Sequence, residues 1–360
     1  MADSTLMYTQ HGSPAFEIWL KAQLAALTRD IVEALRDNLV AVVLGGGYGR
    51  GEGGVVVVDG QERPYNDLDL ILVVRNPSAV PRGPLEAIQA AWPEKLFGIH
   101  VDMSRPQTIE QIKTWPHYMM WQDVLLGHIV LSGPQDVIRA NAPDILLKPL
   151  PLTEALRLML NRGAGLLFAL RIAARVAPPE DEDFVRRNYF KCAQALGDTA
   201  LMIHEKYKTP YAGREALFAD LCDEHAELRD MNIRAVYEES LLFRSLPDRV
   251  EQGPPCSERL HEMARSWSRM LLYLETSRTG IPWKSTESYA SWTGVREPDV
   301  NTLGLIPKNL ARNLVVGSLS YKHPRERLYR EMARLLGASP LPVGWEGTSE
   351  RMLRVWQRFN

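Results

Sequence analysis

The 360-residue sequence has few cysteines, little excess charge and no long uninterrupted apolar run. Its three cysteines are odd in number and lie far apart, at Cys192, Cys222 and Cys256. We therefore expect no disulfide framework and a reducing compartment. The formal net charge of −2 gives no global attraction to nucleic acid and leaves open only a local basic groove.

The sequence also lacks an apolar run that would predict a membrane-spanning helix. The most apolar helical run, residues 156–176, is interrupted by four arginines, Arg157, Arg162, Arg171 and Arg175. A membrane-spanning helix needs about 20 predominantly apolar residues, so this run is expected to be a buried helix. The N-terminus shows no basic stretch followed by an apolar one, as a secretory signal has. We expect a cytoplasmic protein with no membrane partner.

The type of secondary structure that the sequence predicts changes near residue 148. Before it, helical and strand patterns alternate; after it, long helical patterns follow one another and strand signals nearly vanish. We predict an α/β domain over 1–148 and an all-helical domain over 149–360. The elements predicted for the first domain are a helix over 15–35, strands over 39–44, 67–74, 97–103 and 127–131, a helix over 84–92, and a hairpin over 55–65 turning at Asp59-Gly60.

A glycine-rich turn over 45–54 follows the first predicted strand. Gly49, Gly51 and Gly54 satisfy G-x-G-x-x-G, the dinucleotide-binding fingerprint. That fingerprint opens a helix, however, and the run over 55–58 has strand character. The pattern alone therefore gives a weak signal for a Rossmann-type site.

Two other phosphate-binding patterns fail in the same region. The kinase glycine loop requires a lysine on a nearby strand and H-R-D and D-F-G motifs downstream. No lysine occurs between residues 54 and 95, and neither motif is present. A P-loop requires G-K-[ST], which is absent as well.

Two carboxylates lie downstream on the apolar strand predicted over 67–74. Asp67 and Asp69 are two positions apart, and alternate residues of a strand point to the same face. Like charges held so close repel each other unless a cation lies between them. A divalent metal, which prefers oxygen ligands, is the expected partner.

The glycine turn and the carboxylate pair together resemble a known family. The run GGYGRGE at 46–52, followed by NDLDL at 66–70, is similar to the motifs of the nucleotidyltransferase superfamily of DNA polymerase β. Asp102, in the run IHVDM at 99–103, occupies the place of that family's third carboxylate, on a neighbouring strand. The resemblance covers roughly residues 39–104.

The resemblance implies a fold and an activity. The fold is a polymerase-β-like mixed sheet with flanking helices, of the α/β (α+β) class, followed by an all-helical domain. The activity is transfer of a nucleoside monophosphate from a nucleoside triphosphate (NTP) to an acceptor, with release of pyrophosphate, dependent on Mg²⁺ or Mn²⁺. Asp67 and Asp69 would bridge the metal ions, and Asp102 would complete the acceptor-side metal site and help deprotonate the nucleophile.

It also implies nucleotide contacts. Gly46 and Gly47 would present backbone N–H groups to the phosphates, and Arg50 would contact a phosphate from the same turn. Lys191, in the helical part, is a further candidate for the triphosphate. This chain departs from many relatives in having Gly47 where they have serine, and in the hairpin over 55–65 inserted between the two motifs.

The acceptor is not specified by these motifs. The near-neutral charge favours a small molecule or a protein over a nucleic acid chain. Three alternatives stay open: a catalytically idle nucleotide-binding or interaction module, a toxin-type nucleotidyltransferase acting on tRNA or protein, and a Rossmann-type oxidoreductase.

Overall fold

The structure is a computed structural model that describes residues 7–178 and 183–359. Its contacts divide the chain into two compact units. The first contains the residues through Leu150 together with two later segments, Lys208–Arg214 and Leu241–Glu251. The sequence-based division at residue 148 did not anticipate these two returning segments, and as a division into domains it stays a prediction.

A four-stranded mixed sheet forms the centre of the first unit, in the order β5-β4-β1-β6. Strand β1 runs antiparallel to both β4 and β6, whereas β4 and β5 are parallel. A separate two-stranded hairpin is formed by β2 and β3. The strands are β1 (Leu39–Leu44), β2 (Val55–Val58), β3 (Gln61–Pro64), β4 (Leu68–Val74), β5 (Val101–Met103) and β6 (Ile129–Ser132).

The strand predicted over 97–103 is wrong in its first half. Phe97 and Gly98 adopt positive φ angles of 56° and 91°, which belong to a turn and not to a strand. Only Val101–Met103 pairs as β5. The predicted hairpin is confirmed: Val57 pairs with Glu62, and Asp59 and Gly60 both have positive φ, as a tight hairpin turn requires.

Both faces of the sheet are covered, and β4 supplies side chains to each. Leu70 and Leu72 differ by two positions and pack in the same core cluster as helices α1 and α3, whereas Ile71 and Val73 pack in a second cluster with Trp115. Because side chains alternate along a strand, Asp69 shares the face of Ile71 and Val73. The helices of this unit are α1 (Pro14–Leu35), α2 (Gly46–Gly49), α3 (Arg82–Lys95), α4 (Ile109–Ile112) and α5 (Met119–Leu126).

The long helix α1 forms where the sequence predicts it. Its apolar residues recur at helical spacing and are buried against the sheet, and Ser13 caps its first turn by accepting a hydrogen bond from the Phe16 N–H. The same Ser13 donates its backbone N–H to Glu62 on β3, at 3.0 Å. The inserted hairpin is thereby attached to the start of α1.

The second unit contains no strand in the part of it that the structure describes. A buried ionic cluster lies within it: Glu297, 1% exposed, accepts hydrogen bonds from Arg157 (2.7 Å), Arg325 (2.8 Å) and Tyr329 (2.8 Å).

The remaining helices of the chain are α6 (Leu152–Ala173), α7 (Phe184–Ile203), α8 (Arg214–Glu224), α9 (Ala226–Asp230), α10 (Arg234–Ser245), α11 (Ser257–Thr279), α12 (Thr286–Ser291), α13 (Ile306–Leu314), α14 (Arg325–Gly337) and α15 (Trp345–Phe359). Short 3₁₀ segments occur at Arg36–Asn38, Pro77–Ala79, Asp144–Leu147, Pro247–Arg249, Pro298–Val300 and Leu303–Leu305.

Within residues 7–178 and 183–359, no helix combines the length and the apolar character that crossing a membrane requires.

Candidate functional site

The parallel pairing of β4 with β5 brings two of the predicted carboxylates side by side. Asp69 on β4 is the register partner of Asp102 on β5, and the flanking pair is Leu68 with Val101. Asp67 lies one residue before β4 begins. Register partners on adjacent strands present their side chains to the same face, so Asp69 and Asp102 are neighbours. The side chains of all three aspartates retain exposure to solvent.

The glycine turn is attached directly to Asp69. The backbone N–H of Gly45 donates to the carbonyl oxygen of Asp69 at 2.8 Å. Gly46 has a φ of +61°, and a Cβ atom at this position would lie 1.8 Å from the Oδ2 atom of Asp69. Glycine is therefore required at residue 46 both by the backbone and by the carboxylate that lies against it.

The environment of Asp69 disfavours its charged form. Desolvation by the surrounding atoms, together with the negative charges of Asp102 and Asp67, raises the pKa of Asp69 from its ordinary value of 3.8 to about 6. Arg50 and Arg244 act in the opposite direction. The site thus carries negative charge that its own arginines only partly balance.

A divalent cation fits the chemistry of this donor set. Carboxylate oxygens are the ligands that Mg²⁺ prefers, and the ion is usually held by one or two carboxylates together with phosphate and water oxygens. Among the residues described here, no three His, Cys, Asp or Glu side chains converge closely enough to hold an ion by themselves.

The side chain of Arg50 lies beside two carboxylates. Its side chain is 5% exposed, and its Nε donates to the Oε2 atom of Glu52 at 3.1 Å. Its Nη1 lies 3.9 Å from the Oδ2 atom of Asp123, on α5. Burial lowers the pKa of the Arg50 guanidinium, but the neighbouring carboxylates and Tyr211 outweigh that effect and raise the pKa overall. The predicted phosphate contact of Arg50 stays a prediction.

Sequence reasoning assigned no role to several residues of this region. Glu52, 3% exposed, accepts hydrogen bonds from Arg50 and from the backbone N–H of Tyr211. The Arg244 guanidinium lies over the Tyr211 ring, 4.1 Å from its centroid. Glu52 was within the motif of the glycine turn. Tyr211 ends the run YKTPY at 207–211, which loosely resembles the helical partner domains of nucleotidyltransferases, and no local pattern marks Arg244.

The remaining predicted nucleotide contacts divide between the two units. Gly47 lies in the turn, next to Arg244: the Nη2 atom of Arg244 is 3.5 Å from the position of a Cβ atom on Gly47. Lys191 is exposed on α7, in the second unit. Its predicted role in triphosphate binding stays a prediction.

Comparisons with known proteins give little further information. No protein-family model matches the chain, and no curated protein matches it. The chain is similar to a solved structure, the crystal structure of a nucleotidyltransferase-like protein from Exiguobacterium sibiricum, at 13% sequence identity and a TM-score of 0.27, over 81% of this chain and 92% of that one. A likeness at this TM-score does not bear on activity.

The first prediction concerns the titration of Asp69. In metal-free buffer the pKa of its carboxyl group should be near 6 in ¹³C NMR spectra, well above the ordinary value of 3.8. Because the folded-state pKa is raised, the stabilising contribution of protonated Asp69 is present at low pH and is lost as the pH rises through about 6. Asp69→Asn should therefore gain stability relative to the wild type between pH 4.5 and 7.5, measured by urea denaturation. A titration of Asp69 near pH 4 would contradict this description.

The second prediction concerns Gly46. Gly46→Ala should lower the melting temperature more than Gly60→Ala, although both place alanine at a positive φ, because a Cβ atom at Gly60 meets no atom within 4 Å. Introducing Asp69→Ala together with Gly46→Ala should recover most of the difference, since it removes the carboxylate that the new Cβ strikes. Equal losses for the two single variants, measured by differential scanning fluorimetry, would show that Asp69 does not lie against the turn.

Proposed function

We propose that this chain is a metal-dependent nucleotidyltransferase, which transfers a nucleoside monophosphate from an NTP to a small-molecule or protein acceptor. The observation that carries the proposal is the register pairing of Asp69 with Asp102 beside a glycine turn that is hydrogen-bonded to Asp69. Asp67, two positions before Asp69, supplies a third carboxylate. Such a concentration of negative charge is costly unless a cation compensates it.

Asp67, Asp69 and Asp102 are the residues that would hold the divalent ions. A bound Mg²⁺ or Mn²⁺ neutralises charge on the phosphates and orients the attacking and leaving oxygens for an in-line displacement. The raised pKa of Asp69 supports this assignment, because it reflects a negative charge that the surrounding protein leaves partly uncompensated.

The chain itself positions the nucleotide and accepts a proton. An acceptor hydroxyl or amine forms a bond to the α-phosphorus, and the bond from that phosphorus to the bridging oxygen breaks, so that pyrophosphate leaves with the electron pair. Asp102, whose side chain is exposed to solvent, takes the proton released by the nucleophile. Gly46 and Gly47 allow the phosphates to approach the backbone of the turn closely.

The charge of the chain bears on the nature of the acceptor. The net charge of −2 supports a small molecule or a protein over a nucleic acid chain, because an extended polyanion is usually bound by a basic surface.

The third prediction tests the transfer itself. The purified protein is incubated with each α-³²P-labelled NTP, Mg²⁺ or Mn²⁺, and cell lysate as the source of acceptors. The wild type should label an acceptor and release pyrophosphate, and Asp67→Asn/Asp69→Asn should lose at least a hundredfold in rate, because each replacement removes a charged metal ligand. Asp59→Asn is the matched control: its carboxylate is 90% exposed at the hairpin turn, and its loss should leave the rate unchanged.

Two outcomes contradict the proposal. Labelling that persists unchanged in Asp67→Asn/Asp69→Asn would show that these carboxylates do not support the reaction. Binding of an NTP with no pyrophosphate release from any lysate would favour the idle nucleotide-binding module.

A further inference from the structure

The first unit places two arginines near the glycine turn, and their surroundings differ. Arg50 is almost fully buried and directs its nitrogens toward Glu52 and Asp123. Turning it toward a phosphate would leave the Glu52 carboxylate, 3% exposed, without this partner. Breaking a buried ion pair is strongly destabilising, so Arg50 is suited to holding the turn together and not to exchanging ligands.

The guanidinium of Arg244 also lies beside the glycine turn, near Gly47. In the part of the chain that the structure describes, no carboxylate is within ion-pair distance of its guanidinium, and its buried Nε has no hydrogen-bond partner. The side chain is half-buried and retains a solvent-facing part. Its Nη2 atom approaches Gly47, where the resemblance expects a phosphate.

The segment that carries Arg244 is fixed against the same turn. The carbonyl oxygen of Arg244 packs on Gly54, where an added Cβ atom would lie only 2.6 Å from it. The preceding residue, Phe243, contacts the ring of Tyr65 edge-on at 5.7 Å between centroids. The position of the Arg244 backbone is therefore set by contacts on both sides of the hairpin base.

Tyr211 holds the guanidinium of Arg244 in place. Three arginines lie over its ring, with guanidinium carbons 3.9 Å (Arg214), 4.1 Å (Arg244) and 5.2 Å (Arg50) from the centroid. The backbone of Tyr211 donates to Glu52, which connects the ring to the turn. A guanidinium stacked on an aromatic face is oriented by the cation–π attraction while its edge stays free to donate hydrogen bonds.

We propose that Arg244 is the residue that binds the phosphate tail of the nucleotide and that Tyr211 is its positioning residue. The inference rests on the proposed function for the identity of the ligand, and it assigns the polyphosphate to a cation far along the chain from the recognised motif. A guanidinium binds two phosphate oxygens at once, and in this place it would also stabilise the charge on the departing pyrophosphate.

The fourth prediction tests this contact separately from catalysis. Inorganic tripolyphosphate is titrated into the full-length Asp67→Asn/Asp69→Asn protein without divalent ions, with binding followed by isothermal titration calorimetry. This background removes two repelling carboxylates and needs no metal. Adding Arg244→Gln should weaken binding by about tenfold to a hundredfold, the usual effect of losing charged hydrogen bonds, and Arg244→Lys should recover part of it.

The matched control is Arg249→Gln, which removes an exposed arginine from the same returning segment and should leave the affinity unchanged. Equal affinity for the Arg244→Gln and Arg249→Gln proteins, or no tripolyphosphate binding in the parent, would overturn the proposal. Failure of the proposed function would be seen in the labelling experiment, as labelling that does not depend on Asp67 and Asp69. The two failures are therefore distinguishable.

The role of Tyr211 is tested in the same background. Tyr211→Phe keeps the aromatic face and should bind tripolyphosphate as the parent does, whereas Tyr211→Leu should weaken binding severalfold because it removes the surface on which Arg244 stacks. Equal affinities for the two variants, at unchanged melting temperature, would show that the ring does not position Arg244.

Discussion

Electrostatic repulsion among Asp67, Asp69 and Asp102 is the constraint on which the rest of the site depends. The pairing of β4 with β5 fixes Asp69 and Asp102 side by side, and Asp69 shares a face of β4 with the buried side chains of Ile71 and Val73. Desolvation together with the other two charges raises the pKa of Asp69. Such an arrangement is favoured when a cation compensates the charge, and under the proposed function that cation is the divalent ion.

The surrounding residues leave the negative charge of the three aspartates only partly compensated. Gly46 accommodates the carboxylate of Asp69, where any side chain would displace it. Arg50 is close enough to affect Asp69 but is itself paired with Glu52. The guanidinium of Arg244 lies over the ring of Tyr211, and none of the ion pairs among the described residues includes it. Under the proposal above, Arg50 is the structural arginine of the turn and Arg244 is the one that binds the ligand.

The sequence was sufficient where local periodicity decides structure. Strand β1 and the hairpin turn at Asp59-Gly60 follow from patterns within a few residues. The strand predicted over 67–74 begins at Leu68, so the shared face of Asp67 and Asp69 stays a prediction. The sequence was not sufficient to place Phe97 and Gly98, whose positive φ angles end the pattern that was taken for a longer strand.

Contacts between distant parts of the chain account for what sequence reasoning missed. Tyr211 lies between two helices and Arg244 lies near the end of α10, and helical periodicity gives no reason to place either in the first unit. The same limitation applies to the surroundings of Arg50: its partners Asp123 and Tyr211 become neighbours only in the folded chain. Periodicity reports which face of an element is buried, and it carries no information on which distant segment covers it.

The central claim is that the three carboxylates hold a divalent ion together with a nucleotide. It is tested most directly by the electron paramagnetic resonance signal of free Mn²⁺, titrated with the protein and a non-hydrolysable α,β-methylene NTP analogue. The account predicts that the wild type and Asp59→Asn remove Mn²⁺ from solution when the analogue is present, whereas Asp69→Asn and Asp102→Asn bind it at least tenfold more weakly. Mn²⁺ binding by Asp69→Asn equal to that of the wild type would contradict it.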